Sequence, residues 1–345
     1  MRFLEKFACP KCGANLEAES NDLCCRECRS TYAIKDGVCS FMVDESSHGE
    51  FDRETMQKIL SFARENGWRR AVDEIIKPIR PRVVQLITGQ ERDLSIAPIT
   101  DGGECVLDFG SGYGGVSRAL AKKFDKVIAL DGSMERVSFL SIMIEQDKIE
   151  NIQPVCHSQL LHLPFSKNAF DAVVMVGVFE YLPLSLPDMT IAAAHKAFLQ
   201  SLLNILKPGG RLLIHSKNRF GWNYLLGGRD HNGIRFGPAL PVAVSDMAMR
   251  LSGRGRYRIV NYSNRQYRKI LRNAGFEVAK MFWPVPGYQN PNYLVDLDGN
   301  VPQQLAGFEP GYNSRSKQAA FGLLARTGLL PHFVPNLGIL AVKPR

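Results

Sequence analysis

The apolar positions of the chain form two kinds of pattern, a helical repeat and short continuous runs. Between residues 51 and 77 the apolar positions recur at helical spacing, and Gly67 interrupts them, which predicts two helices. Short continuous apolar runs follow at residues 105–109 and 126–130, and the first leads into a helical pattern over residues 116–124. Runs of this length are typical of buried parallel strands. The order of strand, helix and strand predicts an α/β fold with a doubly wound sheet.

Length and composition agree with such a fold. The 345 residues suggest roughly two domains, and 45% hydrophobic and 22% charged residues are ordinary for a globular protein. No apolar run approaches the roughly 18 residues of a membrane-spanning helix, because the run at residues 172–179 is only strand-sized. Residues 1–10 have the features of neither a signal peptide nor a transit peptide. We therefore expect a soluble cytoplasmic protein with no membrane span.

Five of the eight cysteines lie within residues 9–28. Four of them form two Cys-x-x-Cys pairs: Cys9, Cys12, Cys25 and Cys28. Each pair places two thiolates on one tight turn, and a short hairpin brings the turns together, which suits tetrahedral zinc. A disulfide framework and a redox pair are the alternatives, and Cys24 is an alternative ligand to Cys25. Four thiolates leave a metal no open position, so this zinc is expected to be structural.

The cysteine segment, with residues 32–37 after it, resembles the zinc ribbon of the small subunits that activate methyltransferases. It is also similar to the ribbon at the front of some ribosomal RNA methyltransferases. We place the ribbon at residues 1–43 and a helical linker or lid at residues 44–101. Residues 102–345 then form the main domain.

A glycine-rich turn follows the predicted strand at residues 105–109. Glycines let the backbone approach a ligand closely, and the N-terminus of the following helix offers free amides. The next strand ends in Asp131, where a carboxylate of a doubly wound sheet accepts hydrogen bonds from ribose hydroxyls. The glycines also match the dinucleotide fingerprint. Asp108 stands just before them, however, and would repel a pyrophosphate while attracting the cationic methionine end of S-adenosylmethionine.

These segments resemble the class I S-adenosylmethionine-dependent methyltransferases. Five motifs carry the resemblance in the right order: residues 106–114 with Asp131, 163–165, 170–182, 206–214 and 267–276. The resemblance implies a Rossmann-like, seven-stranded methyltransferase sheet and S-adenosylmethionine as cofactor. The residues implied to bind it are Asp108, Gly110, Ser111, Gly112, Gly114, Asp131, Gly132, Gln159 and Leu160. Gln159 stands where the family often has an acid, and its carbonyl can still accept from the adenine amine.

Two inserts, near residues 218–262 and 284–335, are expected to cap the substrate pocket of the main domain. Methyl transfer requires an aligned nucleophile and, for some acceptors, removal of a proton. His231, flanked by Asp230, is the candidate base, and Tyr181 is a further candidate because it follows the predicted fourth strand. A histidine in a surface turn is the alternative interpretation of His231.

The charge of the chain is +9, and it is unevenly distributed. Residues 207–280 hold fifteen Lys or Arg against three acids, which indicates an anionic ligand or a solvated basic face. Arg219, Arg229 and Arg235 suit phosphate or carboxylate groups through their bidentate donors.

The first insert and the cap resemble those of bacterial methyltransferases of surface-polysaccharide and secondary-metabolite pathways. This resemblance implies oxygen methylation of a sugar, glycolipid or other small metabolite, including metabolites that bear a phosphate. The alternative is a ribosomal or transfer RNA methyltransferase that holds RNA with the ribbon and the basic segment. A non-catalytic partner protein and a nicotinamide oxidoreductase are further alternatives, and the sequence does not predict an oligomeric state.

Overall fold

The computed structural model describes residues 2–42, 50–88, 92–306 and 315–345, with side chains from residue 321 onward in the last range. The chain divides into two units. The first comprises Met1–Met175, Ser201–Arg211 and Arg345, and the second comprises Val176–Gln200 and Leu212–Pro344. The predicted boundary between ribbon and helical segment falls at residues 43–49, which lie outside the described residues.

The described residues of the first unit contain eight strands, of which the last four consist mostly of buried residues and the first is fully exposed. These strands are β1 (Glu17–Glu19), β2 (Asp22–Cys24), β3 (Thr31–Lys35), β4 (Val38–Ser40), β5 (Cys105–Phe109), β6 (Lys126–Asp131), β7 (Ile152–Cys156) and β8 (Phe170–Val176). Their order is β1-β2-β3-β4-β7-β6-β5-β8. The first four are antiparallel neighbours, whereas the β4–β7, β7–β6, β6–β5 and β5–β8 pairs are parallel. The predicted α/β fold with a doubly wound sheet is confirmed.

The predicted ribbon continues this sheet at its edge. Cys39 pairs with Val155 and Ser40 with Cys156 in the parallel β4–β7 pair. The chain then keeps the same direction for one more residue, since the amide of Phe41 donates to the carbonyl of Cys156 over 2.9 Å. The ribbon and the start of the main domain therefore share one sheet.

Helices cover this sheet in the first unit. They are α1 (Arg53–Asn66), α2 (Trp68–Ala71), α3 (Lys77–Ile79), α4 (Pro81–Thr88), α5 (Asp93–Ile96), α6 (Gly115–Leu120) and α7 (Met134–Gln146), with a π-helical turn at Val72–Ile76 and 3-10 turns at Leu4–Lys6 and Ala97–Ile99. The predicted linker or lid packs as a layer on α7, because Ile59, Trp68 and Ile76 share one buried cluster with Phe139 and Met143. The indole Nε1 of Trp68 also donates to Asp147 Oδ1 over 3.1 Å.

The second unit holds most of the remaining elements. They are α8 (Ile191–Ile205), β9 (Leu206–Lys217), α9 (Trp222–Leu225), α10 (Val242–Leu251), α11 (Asn264–Ala274), β10 (Glu277–Val285), β11 (Tyr293–Asp296), α12 (Val301–Ala306), α13 (Arg315–Arg326), α14 (Leu330–Phe333) and β12 (Asn336–Val342), with a 3-10 turn at Phe179–Ser185. Helix α8 and strand β9 each begin in one unit and end in the other. The strand order is β9-β12-β10-β11, and β10 is antiparallel to both of its neighbours.

The predicted number of seven strands is wrong, because the described residues contain twelve. The sequence motifs account for seven of them, namely β5 to β10 and β12. The others are the four short ribbon strands and β11, which lies inside the second insert. That insert is therefore not made only of loops, since it also carries α12, α13 and α14. No helix within the described ranges is both long enough and apolar enough to cross a bilayer.

Phe41 ties the ribbon to the sheet, and its truncation is expected to destabilise the protein. Its ring is 2% exposed and lies 4.9 Å from the Tyr32 ring and 6.0 Å from the Phe7 ring, measured between centroids. Phe41→Ala should lower the free energy of unfolding by about 3–5 kcal/mol, because it removes buried surface and leaves a cavity. Urea denaturation measures the change. The exposed control Ile79→Ala should change it by less than about 0.5 kcal/mol, and an equal loss in both variants would contradict the packing role of Phe41.

Candidate active site

Four cysteine sulfurs meet in the ribbon. The Sγ atoms of Cys9, Cys12, Cys25 and Cys28 all lie within 4.8 Å of one another. The Cys9–Cys28 and Cys12–Cys25 sulfurs are 3.5 and 3.4 Å apart, close to the roughly 3.8 Å between thiolates that share a tetrahedral zinc at about 2.3 Å. Cys24 is not part of the cluster, and its sulfur faces Glu19 Oε2 at 3.4 Å. The four predicted ligands are therefore together and their geometry fits the metal.

The glycine turn after β5 is a cradle of backbone amides. Gly110, Gly112 and Gly114 have φ angles of 77°, 55° and 80°, which side-chain-bearing residues rarely adopt. A Cβ atom on Gly114 would collide with Leu140, so packing requires that glycine. A Cβ atom on Gly112 would have no atom within 4 Å. Gly112 therefore faces open space, where a ligand can approach the backbone.

Asp131, at the end of β6, holds the cradle in place. Its Oδ2 accepts the amide of Gly112 and its Oδ1 accepts the amide of Ser133, both over 2.9 Å. Each oxygen keeps a lone pair for a further donor, as the role predicted from the sequence requires. The carboxylate thus joins the glycine turn to the N-terminus of α7.

Asp108 is buried beneath the turn. Ser117 Oγ donates to its Oδ2 over 2.6 Å. Burial raises the pKa of Asp108 to about 7, while the Ser117 hydrogen bond and the nearby charge of Arg92 act in the opposite direction. A cationic ligand beside this carboxyl group would favour its ionised form and be attracted by it in turn. This agrees with the predicted preference for the cationic end of S-adenosylmethionine.

The other predicted cofactor residues lie around the same turn. Ser111 Oγ is buried and has no hydrogen-bond partner among the described residues, so it is available to a ligand. The main-chain oxygen of Gln159 accepts His157 Nε2 over 2.8 Å, and its side chain is exposed. Leu160 is buried, and its carbonyl accepts Ser201 Oγ over 3.1 Å. Gly132 lies near His157, because a Cβ atom built on Gly132 would be 3.9 Å from the main-chain oxygen of His157.

The sequence did not indicate a second layer behind Asp131. Arg136 Nη2 binds Glu50 Oε1 at 2.8 Å, and its Nη1 lies 3.6 Å from Asp131 Oδ1. Tyr113, in the glycine turn, donates to Glu50 Oε2 over 3.1 Å. Glu50 thereby connects the helical segment to the cradle. No local pattern could have revealed this contact, because the residues are 63 and 86 positions apart.

An acid–base cluster forms in the second unit. Tyr181 follows the carboxyl end of β8, and its hydroxyl lies 2.7 Å from His231 Nδ1. When Tyr181 is the donor to Nδ1, the proton of the neutral ring is on Nε2, the nitrogen that faces Glu180 Oε1. Burial lowers the pKa of His231 to about 4, and the charge of Lys217 acts in the same direction. The imidazole is therefore neutral at physiological pH.

Glu180 completes this cluster. Its side chain is fully buried, and its Oε1 lies 4.0 Å from His231 Nε2 without a hydrogen-bond partner among the described residues. Ser216 Oγ donates to the other oxygen over 2.9 Å, and Tyr267 donates to Ser216 over 2.7 Å. Burial raises the pKa of Glu180. Its position after the fourth-motif strand was visible in the sequence, but its proximity to His231 was not.

Asp230 has a different environment from the one expected. Its carboxylate accepts the hydroxyl of Tyr257 over 2.6 Å and the amide of Ile234 over 2.8 Å. It also accepts Asn232 Nδ2 over 3.1 Å. These contacts close the turn that carries His231. The histidine ring is hydrogen-bonded to Tyr181 instead, so Asp230 acts on it only through charge, which slightly opposes the lowering of its pKa.

Many cations of the basic segment have partners within their own unit. Lys207 pairs with Asp171, and Arg211 pairs with Asp101. Arg219 donates to the carbonyl of Leu240. Arg258 donates to three main-chain carbonyls, those of Pro183, Leu186 and Met189. The side chains at these four positions are therefore engaged within the protein, two with carboxylates and two with main-chain carbonyls.

A family model described as a methyltransferase domain matches residues 82–281, which is more than half of the chain. The chain belongs to this methyltransferase family. The predicted enzyme class, an S-adenosylmethionine-dependent methyltransferase, is thereby confirmed at the level of this domain.

Curated relatives of this methyltransferase domain include enzymes named for quinone biosynthesis. The chain is 28% identical to the demethylmenaquinone methyltransferase of Clavibacter sepedonicus over 187 residues, 54% of this chain and 60% of the relative. It is 33% identical to the ubiquinone/menaquinone biosynthesis C-methyltransferase UbiE of Haemophilus ducreyi over 119 residues, 32% of this chain and 40% of the relative. The chain thus spans less than two thirds of either relative.

Among solved structures, the methyltransferase is similar to phosphoethanolamine N-methyltransferase 2 of Haemonchus contortus in complex with S-adenosyl-L-methionine. The TM-score is 0.45 at 18% identity, covering 83% of this chain and 60% of the other. A similarity of this level carries no information on the substrate.

Asp131 is expected to be essential for cofactor affinity. Asp131→Asn replaces one carboxylate oxygen, which accepts hydrogen bonds, by an amide nitrogen, which donates them. One acceptor for the Gly112 amide or for a ligand hydroxyl is then lost, so binding of S-adenosylhomocysteine should weaken by about 1.5–3 kcal/mol. Isothermal titration calorimetry measures the affinity. Asp125→Asn makes the same charge change at an exposed site before β6 and should bind as the wild type does. Equal affinity of Asp131→Asn and wild type would refute the role.

Proposed function

We propose that the protein is an S-adenosylmethionine-dependent methyltransferase that methylates a hydroxyl oxygen of a sugar, glycolipid or other small metabolite. The observation that carries this proposal is the neutral His231, hydrogen-bonded to Tyr181 and backed by the buried Glu180. Such a group is unprotonated at neutral pH and can accept the proton of a hydroxyl. An acceptor that is already nucleophilic, such as a free thiolate, would not need it.

Tyr181 and His231 transfer the proton together. The acceptor O–H bond breaks as Tyr181 takes its proton, and Tyr181 passes its own proton to His231 Nδ1. The imidazolium that forms has its Nε2–H directed at Glu180 Oε1, 4.0 Å away. Burial raises the pKa of Glu180, and an imidazolium beside it acts in the opposite direction, so the ionised carboxylate is favoured when this charge appears and stabilises it.

The cradle residues of the first unit hold the methyl donor. Asp131 and Ser111 offer acceptors or donors to the ribose and the amino-acid portion, and Asp108 offers a carboxyl group to the cationic portion. S-adenosylmethionine, when bound, supplies an electrophilic methyl group on a sulfonium. Lys217, whose charge reaches His231, is the cation that a phosphate-bearing acceptor would meet.

Carbon methylation of a hydroxylated ring is the second candidate. Its support is the identity to the demethylmenaquinone and ubiquinone/menaquinone methyltransferases. Loss of the ring hydroxyl proton makes an adjacent ring carbon nucleophilic, so the same cluster would serve. RNA methylation is the remaining alternative: Lys207, Arg211, Arg219 and Arg258 have partners within the protein, whereas Arg229 and Arg235 of the same segment are exposed.

Glu180→Gln and His231→Asn are expected to impair turnover selectively. Each should lower kcat by about 100-fold or more, since acid–base catalysis contributes factors of this size. The affinity for S-adenosylhomocysteine should remain that of the wild type. Glu277→Gln, an exposed change in the same unit, is the control. Because the pKa of His231 is about 4, wild-type turnover should stay level from about pH 8 to about pH 6. A fall centred near pH 6.5 would contradict the assignment.

The reaction itself is tested with methyl-deuterated S-adenosylmethionine and panels of sugars, glycolipids, hydroquinones and RNA. Mass spectrometry detects the label, and NMR of the product shows whether oxygen or carbon carries it. Labelled oxygen supports the first candidate and labelled ring carbon the second. Labelled RNA, with no labelled small molecule, would overturn both.

The cysteine cluster is proposed to bind one structural zinc ion. Cys25→Ser should lose the metal, as measured by atomic emission, and should lower the thermal midpoint because the ribbon edge of the sheet loosens. Cys24→Ser is a matched control, since its sulfur is adjacent in sequence but outside the cluster. Zinc retained by Cys25→Ser, or lost equally from Cys24→Ser, would contradict the ligand set.

A further inference from the structure

Exposed apolar side chains are concentrated in one short segment of the second unit. Six of the eleven large hydrophobic residues that are exposed among the described residues lie within residues 225–251. They are Leu225, Leu226, Phe236, Val244, Met247 and Leu251. Leu226 and Leu251 are 83% and 82% exposed. Single exposed apolar residues are ordinary, but a contiguous group marks an interaction surface.

Helix α10 presents an apolar stripe to solvent. Val244, Met247 and Leu251 are spaced three and four residues apart, so they lie on one face. Ser245 and Met249 are buried on the other face, where Ser245 Oγ donates to the carbonyl of Gly237 over 2.9 Å. The helix is thus anchored through Ser245 and Met249 and leaves Val244, Met247 and Leu251 uncovered.

The segment before α10 joins this stripe. Phe236 lies close to Gly227, which follows Leu226 in the chain, because a Cβ atom built on Gly227 would be 3.3 Å from the Phe236 ring. Arg254, after α10, contacts Gly233 through its guanidinium. These contacts hold the segment before α10 and the residues after it together, and we name residues 225–256 the docking face.

The docking face is also basic. Its exposed cations are Arg229, Arg235, Arg250, Arg254 and Arg256. Of its two acids, Asp230 is buried and hydrogen-bonded, and Asp246 pairs with Arg250 at 2.8 Å. Apolar side chains in water, with four exposed arginines besides the paired Arg250, are the combination that an anionic lipid interface accommodates.

We propose that the docking face binds peripherally to a membrane surface that contains anionic phospholipids. The apolar side chains enter the boundary between headgroups and acyl chains, and the arginines pair with lipid phosphates. A second copy of the chain fits less well, because face-to-face contact would oppose two sets of arginines. Nucleic acid would satisfy the arginines but leave Leu226, Met247 and Leu251 in water. This inference does not depend on the proposed reaction or its acceptor.

Vesicle co-sedimentation tests the proposal with the full chain. Wild type should sediment with phosphatidylcholine vesicles that contain about a third phosphatidylglycerol, and should bind pure phosphatidylcholine far more weakly. Salt at about 0.5 M should reduce binding, since it screens the charges. The double variants Leu226→Ser/Leu251→Ser and Arg254→Gln/Arg256→Gln should each lower partitioning by about tenfold or more.

Leu323→Ser/Leu329→Ser is the matched control, because both residues are exposed in the same unit outside the docking face. It should sediment as the wild type does, and circular dichroism should show all variants folded. Absence of sedimentation, equal binding to neutral vesicles, or unchanged binding of both docking-face variants would overturn the proposal. So would a wild-type dimer in sedimentation velocity that Leu226→Ser/Leu251→Ser converts to monomer without vesicle binding.

Discussion

The contact on which the cofactor cradle depends joins the carboxylate of Asp131 to the amide of Gly112. Three glycines with positive φ give the turn after β5 little conformational preference of its own, so something outside the turn must fix it. Asp131 does so from the end of the neighbouring strand, and the carbonyl of Leu130 accepts the amides of Gly110 and Ser111 beside it. The turn can form only when β5 and β6 are paired. The open space before Gly112 is thus a product of the sheet as much as of the glycines.

The ribbon is coupled to this cradle through aromatic packing. Tyr32 places its hydroxyl 3.1 Å from the sulfur of Cys9 and its ring against Phe41. Phe41 follows β4, pairs with Cys156 and contacts the ring of His157 edge-on. His157 in turn hydrogen-bonds the main chain of Gln159, a predicted adenine-binding residue. A continuous set of contacts therefore runs from the cysteine cluster to the loop beside the cofactor cradle.

The sequence predicts features that a few neighbouring residues determine. The Cys-x-x-Cys turns, the glycine turn and the strands at residues 105–109 and 126–130 are of this kind, and the structure contains all of them. Local sequence patterns could not predict contacts between residues that are distant in the chain. The β4–β7 pairing joins strands more than a hundred positions apart, and it raises the strand count beyond seven. The hydrogen-bond partner of His231 is of the same distant kind, because the adjacent Asp230 turns toward Tyr257 while Glu180 and Tyr181 lie 51 and 50 positions away in the chain.

Glu180 shows why a catalytic role explains the second-unit cluster better than a structural one. A carboxylate with zero exposure has a large desolvation cost, and Ser216 satisfies only one of its oxygens. The unpartnered Oε1 costs further stability, which a packing role gives no reason to tolerate. The charge of Lys217 offsets part of this cost, and protonation of His231 would add a second positive charge whose Nε2 lies 4.0 Å from Oε1. Burial lowers the pKa of His231, so its imidazole is neutral before the reaction. When the imidazole takes up the proton of an acceptor, Glu180 and His231 become an ion pair of opposite charges.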